Sequence, residues 1–209
     1  MVSADDVVAG PKREELNRRL IKVARAILEK DGLEGLTLRA AARSAGVSHM
    51  APYRHYESKD DLLAAVAEEA FKDLTGAMDR SADCDAPPKA RLQGLCRAYL
   101  KFALANPALY RLMFGANLPN RSRFPGLVAA CKECCARCVA VVGPEVGADG
   151  ENLDLPRKAI ATWSFVHGLA SLAIDGLVPL PEHGDPAFLT EIDALIAAAD
   201  LHVENGKPQ

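Results

Sequence analysis

Ser48, His49, Met50, Tyr53 and Arg54 put a hydroxyl, an imidazole, a thioether, a phenol and a guanidinium within one short stretch of the 209-residue chain. Such groups donate and accept hydrogen bonds and cover apolar edges, which is the chemistry of reading base edges and phosphates. A second set is CKECCARC, where Cys134, Cys135 and Cys138 follow Cys131 at spacings of three, four and seven residues. On a continuous helix those four thiols share one stripe. They suit a soft metal ion or reversible oxidation, or else they pack as small apolar groups, as reduced cysteine commonly does. One straight helix cannot wrap four thiolates tetrahedrally around an ion, and zinc pairs of this spacing usually sit on turns. The third set is Trp163 and His167, four apart on an apolar helix with Ile160 and Ala170 on the same face. They read either as a buried aromatic with a hydrogen-bonded histidine or as a pocket wall whose imidazole orients a mostly apolar ligand. No nucleophile elbow, phosphate loop or paired-histidine metal motif accompanies them, so neither an enzyme nor a cofactor is expected.

The elements that must position these groups are helical throughout, and the predicted fold is all-α. In TLRAAARSAGVSHMAPYRHYESKDDLL, residues 37–63, Thr37 is a good N-cap and Leu38, Ala41, Ala42 and Ala45 form an apolar face. Gly46 suits the left-handed backbone that ends such a helix, and Ser48 is placed to cap a second one carrying His49, Met50, Tyr53 and Arg54 outward. Two helices around a glycine turn match the helix-turn-helix outline, whose second helix lies in the major groove. A preceding helix over about residues 12–30, with Leu16, Leu20, Val23, Ala24, Ile27 and Leu28 on one side, braces the pair and stops at Gly32. Ser58 and Asp61 resemble a capping box opening a helix to about Arg80. Prolines then mark the later helix starts, at Pro88, Pro107, Pro125, Pro156 and Pro186, with the last two helices predicted over 156–176 and 186–204.

Charge divides the chain the same way. The formal net is −3, yet residues 11–56 carry +5 and the remainder −8. A basic N-terminal module facing phosphates and an acidic body follow from that asymmetry. No apolar run reaches membrane-spanning length and the N-terminus lacks the pattern of a secretory signal, so no membrane partner and a cytoplasmic location are expected.

The segments Leu36 to Arg39, Ala45 to Ser48, Tyr53 to Tyr56 and Ser58 to Leu63 resemble the DNA-binding domain of the tetracycline-repressor (TetR/AcrR) family of bacterial transcription regulators. Downstream, Trp163, His167 and Gly168 are similar to its WHG-type C-terminal subgroup. The chain departs from the pattern at Ala41, where a larger aliphatic is more usual, and at Tyr56, where Phe is usual, which implies looser and more polar packing beneath the reading helix. The resemblance implies a three-helix DNA-binding domain over residues 1–58 and a helical effector-binding and dimerisation bundle over 59–209. It implies a homodimer on a palindromic double-stranded operator, with recognition helices roughly 34–36 Å apart. Carried over by residue, Thr37, Tyr53, His55 and Lys59 would contact phosphates, Ser48, His49, Met50 and Arg54 would lie nearest the bases, and Arg39 would do either. Tyr99, Phe102, Tyr110, Met113 and Phe114 come from helices that would wall a pocket opposite Trp163, His167 and Ala170, and such a lining suits a small hydrophobic or amphipathic effector. A dimer surface on the last two helices would use Leu169, Leu172, Phe188, Ile192, Leu195 and Ile196, more apolar side chains than one small bundle readily hides.

The function expected is therefore a ligand-responsive regulator, most simply a repressor. Two other readings use the same residues: a thiol- or metal-sensing regulator driven by Cys131, Cys134, Cys135 and Cys138, and a helical small-molecule carrier or thiol enzyme.

Overall fold

A computed structural model describes residues 4–81, 85–118, 120–142, 156–181 and 185–199, and these described residues form eight α-helices and two short 3-10 turns, with no strand among them. They are α1 (Ala4–Gly35), α2 (Leu38–Ser44), α3 (Lys59–Ser81), α4 (Pro88–Ala105), α5 (Pro107–Phe114), α6 (Pro125–Val142), α7 (Arg157–Ile174) and α8 (Pro186–Ala198). Pro88, Pro107, Pro125 and Pro186 open helices where expected, because a residue with fixed φ and no N–H loses nothing in a first turn, and Pro156 caps α7. The expected extension of the last helix to residue 204 lies outside the described residues from residue 200 onward.

Two compact units result. The described residues up to Ala70 together with Ala108–Leu127 make the first, and Phe71–Pro107 with the described residues from Val128 onward make the second. In the first, Leu20, Ile21, Ala24 and Leu28 of α1 are buried with Leu38, Ala41 and Ala42 of α2 and with Leu62, Leu63 and Val66 of α3. Gly32 takes φ 69° and breaks the helical path of α1, as its predicted stop requires. Gly46 takes φ 65° after α2, in the left-handed region that a side chain would strain.

In the second unit α4 packs against α7 and α8. Leu92, Leu95, Cys96, Leu100 and Ala103 supply the α4 side of the core, and Ala159, Val166, Phe188, Ile192 and Ile196 the facing side. Arg97 of α4 donates to Asp193 of α8 from Nε and Nη2, at 2.9 and 2.7 Å. Arg137 of α6 pairs with Asp79 of α3 at 2.6 Å.

Of the side chains expected at a dimer surface, Leu169, Phe188, Ile192 and Ile196 are buried within a single chain. Apolar residues occupy more than one side of α8, so periodicity alone does not single out its inner face. Leu195 is half-buried and Leu172 stays exposed. Among the described residues of this unit, the exposed large apolar side chains are Ile160, Leu172, Leu177 and Leu189, between 37% and 70% exposed.

Candidate nucleic-acid interface

The site is built from the turn outward. Thr37 leaves the chain extended and its Oγ1 accepts from the Ala40 amide at 3.0 Å, the side-chain cap that starts α2. Past Gly46 the chain does not form the regular helix expected from Ser48. The Ser48 carbonyl accepts from the Ala51 amide, the Ala51 carbonyl from Arg54 and the Pro52 carbonyl from His55, a run of tight three-residue steps with a 3-10 turn over Pro52–Arg54. The cause is Pro52. Its ring has no N–H to give the Ser48 carbonyl, so the first α-type bond of a helix capped at Ser48 cannot form and the segment tightens instead. Ala51, without a side-chain cap bond, takes the cap position assigned to Ser48.

Tertiary contacts hold this short segment where its own hydrogen bonds are few. Pro52 and Tyr56 are buried, and the Tyr56 hydroxyl donates to Asn17 Oδ1 on α1. Burial, joined by the carboxylates of Glu68 and Glu69, pushes the Tyr56 phenol up to about 12, so it remains a donor at any physiological pH. Arg13 reaches from α1 to the Arg54 carbonyl at 3.4 Å. Neither Asn17 nor Arg13 was legible as part of the site, since each lies about forty positions from its partner and no local pattern links them. The polar contact expected from Tyr56 standing in place of Phe is the Asn17 bond, made by a side chain only 5% exposed.

With Pro52 and Tyr56 turned inward, the other side chains face solvent. Met50 is 56% exposed and Tyr53 44%, and Ser48, His49 and Arg54 are exposed beside them. Thr37 and Arg39 are also exposed. His55 is half-buried; burial first, and the Arg13 charge second, hold its imidazole below the ordinary value, so it is neutral at pH 7 and donates from one nitrogen only. Ser58 and Asp61 form the predicted capping box: the Ser58 amide donates to Asp61 Oδ2 at 2.7 Å and the Asp61 amide to Ser58 Oγ at 3.3 Å. Lys59, at the first position of α3, is half-buried and its ammonium donates to the Leu33 carbonyl.

The residues expected to line an effector pocket divide between the units. Tyr99, Phe102, Trp163, His167 and Ala170 are in the second. There the Tyr99 hydroxyl and His167 Nδ1 are 3.0 Å apart, and the Trp163 and His167 rings lie 5.7 Å centroid to centroid. Burial holds His167 below its ordinary value, which keeps it neutral and able to share a proton with Tyr99. Ala170 is fully buried and Phe102 nearly so. Tyr110, Met113 and Phe114 belong to the first unit, where the Tyr110 and Phe114 rings are 5.0 Å apart.

The thiol stripe turns inward. Cys134 and Cys138 are buried, Cys131 and Cys135 half-buried, and Cys96 of α4 is fully buried. Burial pushes Cys134 up to about 12 and Cys138 up to about 11. Cys135 is raised too, chiefly by its hydrogen bond with Cys131. Thiols so protonated are poor nucleophiles and poor metal ligands. Among the described residues, no group of three His, Cys, Asp or Glu side chains is arranged to hold a metal ion. Among them, too, no helix is long and apolar enough to cross a membrane.

Residues 20–66 match the family described as bacterial regulatory proteins of the tetR family, and residues 92–195 match the tetracyclin repressor-like C-terminal domain. An HTH-type transcriptional regulator of Mycobacterium tuberculosis is 32% identical over 110 residues, 52% of this chain and 47% of that protein. The chain thus spans about half the length of the curated relatives it matches. A solved protein of unknown function from Rhodococcus sp. RHA1 is 34% identical, covering 88% of this chain and 92% of that one with a TM-score of 0.67. A TetR/AcrR-family regulator from Thermobifida fusca shares the fold at 22% identity and a TM-score of 0.61, over 92% of this chain and 98% of that one.

Proposed function

We propose, from the premise that this chain belongs to the TetR family of bacterial transcriptional regulators, that it binds a palindromic DNA operator as a homodimer, represses from it, and is released by a small hydrophobic effector. The observation that carries this reading is the outward face of Ser48 to Arg54. A thioether and a phenol stand in solvent there while Pro52 and Tyr56 anchor the backbone behind them, an arrangement that adds nothing to folding and suits contact with bases. Residues 1–58 would be the reading domain and 59–209 the effector-binding and dimerisation domain. Thr37, Tyr53, neutral His55 and Lys59 would hold phosphates, with Ser48, His49, Met50 and Arg54 over base edges and Arg39 serving either.

In the second unit, the Tyr99 and His167 pair beside Trp163 is the polar feature of an otherwise apolar set, which suits orientation of an apolar effector. A coupling of ~1–3 kcal/mol between effector and operator would weaken binding roughly 5–150-fold, enough to switch a promoter. Ile160, Leu172, Leu177 and Leu189 replace the buried residues of α8 as the surface for a second copy. The described thiols favour core packing over sensing.

A gel shift with the DNA flanking its own gene tests the reading. A retarded band that unlabelled copies of the same DNA remove, and random DNA does not, is expected. Equal competition by both would defeat the operator claim.

A further inference from the structure

The end of α3 and the middle of α4 bound an open groove of about 460 Å³, within the size range of small-molecule sites. It shares Phe102 with the aromatic set around His167 but is otherwise built from different residues. Arg80, Arg97 and Lys101 line it, and Ala98 and Phe102, each 9% exposed, show it a narrow apolar edge. Of the three cations, Arg97 is balanced by Asp193. Arg80 and Lys101 have no ion-pair partner among the described residues. The groove therefore holds two uncompensated positive charges, in the part of the chain whose formal net is −8.

The groove is built into the packing. Gly94 faces the end of α3, where a Cβ would lie 2.9 Å from the Ser81 carbonyl oxygen, so glycine lets the two helices close the groove this tightly. A cation in the last turn of α3 is favoured by the helix dipole, which accounts for Arg80. It does not account for Arg97 and Lys101 lining the same groove from a second helix.

We propose that this groove is a small-molecule site separate from the effector surface around His167, and that its ligand is a phosphate monoester. A phosphate monoester carries about −1.5 to −2 charge near pH 7, which matches the two uncompensated cations. Its oxygens would lie between the Arg80 guanidinium and the Lys101 ammonium, and its organic part against Ala98 and Phe102. The site depends on neither the DNA reading nor the dimer.

Phenyl phosphate, titrated calorimetrically into the full chain, is the direct probe. Saturable binding in the millimolar range or tighter is expected, with phenol inert and benzoate, a monoanion of similar size, clearly weaker. Lys101→Ala and Arg80→Ala should each weaken binding about tenfold, the loss expected of a charge-assisted contact. Absence of saturation, equal binding of benzoate, or unchanged affinity in the double variant would overturn the assignment. In the unaltered protein, phenyl phosphate should slow acetylation of Lys101 by an amine-reactive reagent, read by mass spectrometry. An unchanged modification rate at saturating ligand would count equally against the site.

Discussion

The reading segment and the His167 face of the second unit hold side chains of the same kinds, aromatic, imidazole and thioether or small apolar, and use them in opposite ways. In the segment from Ser48 to His55, Met50 and Tyr53 lie outward on a backbone tied down by Pro52 and Tyr56. In the second unit, Tyr99 and Ala170 are buried and His167 spends its Nδ1 on Tyr99. The first arrangement leaves its chemistry available and relies on neighbours for rigidity; the second satisfies its chemistry internally and contributes to its own core. An exposed thioether beside an exposed phenol is informative because stability does not call for it, whereas a buried tyrosine hydroxyl needs a partner in any case, so the Tyr99–His167 bond serves folding whether or not it also orients a ligand.

The largest expected effect sharpens the contrast from the buried side. Ile192→Ala should destabilise the protein by about 2–5 kcal/mol, the cost of a cavity in a packed core. Chemical denaturation at several protein concentrations distinguishes core from interface: a protomer-core residue gives the same loss at every concentration, and a loss that grows on dilution would return Ile192 to a dimer surface. Next comes the outward side. Arg54→Ala should leave stability within about 0.5 kcal/mol while changing operator affinity or preference by roughly 1–3 kcal/mol. A denaturation midpoint that falls with the affinity would make Arg54 structural and break the comparison.

Thr37→Ala removes a side-chain cap and should cost about 1 kcal/mol, since its hydroxyl is what the Ala40 amide finds at the start of α2. Thr37→Ser should restore most of it, and an alanine variant as stable as the parent would show that the cap is redundant. The smallest effect is a pH dependence. His167 has its folded value below the ordinary 6.5 because of burial, so near pH 7 and above it is neutral in both folded and unfolded chains and no stability is lost. As pH falls below about 6.5 the unfolded chain takes up a proton that the folded one resists, and stability declines towards the lower folded value. His167→Gln should flatten that decline between pH 7 and pH 5. Urea midpoints over this range measure it, and an unaltered slope would detach His167 from the buried pair with Tyr99.

Much of the fold was legible because its signals are short-range. Thr37 capping α2, Gly46 in the left-handed region, Ser58 with Asp61 and the proline at each later helix start are all decided within three or four residues, where backbone sterics and one hydrogen bond settle the outcome. The reading segment was legible in its residues but not in its geometry. Pro52 stands where a helix capped at Ser48 needs a donor, and the sequence shows the proline without showing that Tyr56 and Asn17 stabilise the tighter turn in its place. The inner side of α8 was not legible at all. Phe188, Leu189, Ile192, Leu195 and Ile196 surround more than one face, and only the position of α4 determines that Ile192 goes in and Leu189 out.

By itself, then, the order of residues determined an all-helical chain, the places where its helices begin and break, and a basic N-terminal module, because each follows from local dihedral preference, periodicity and charge. Tertiary structure alone decided which thiols are buried and protonated, which leucines and isoleucines are spent on the core, and that Arg80, Arg97 and Lys101 line one groove beside a glycine contact. Those outcomes depend on which residues distant in the chain become neighbours, and burial and charge pairing are properties of neighbours, which no local pattern records.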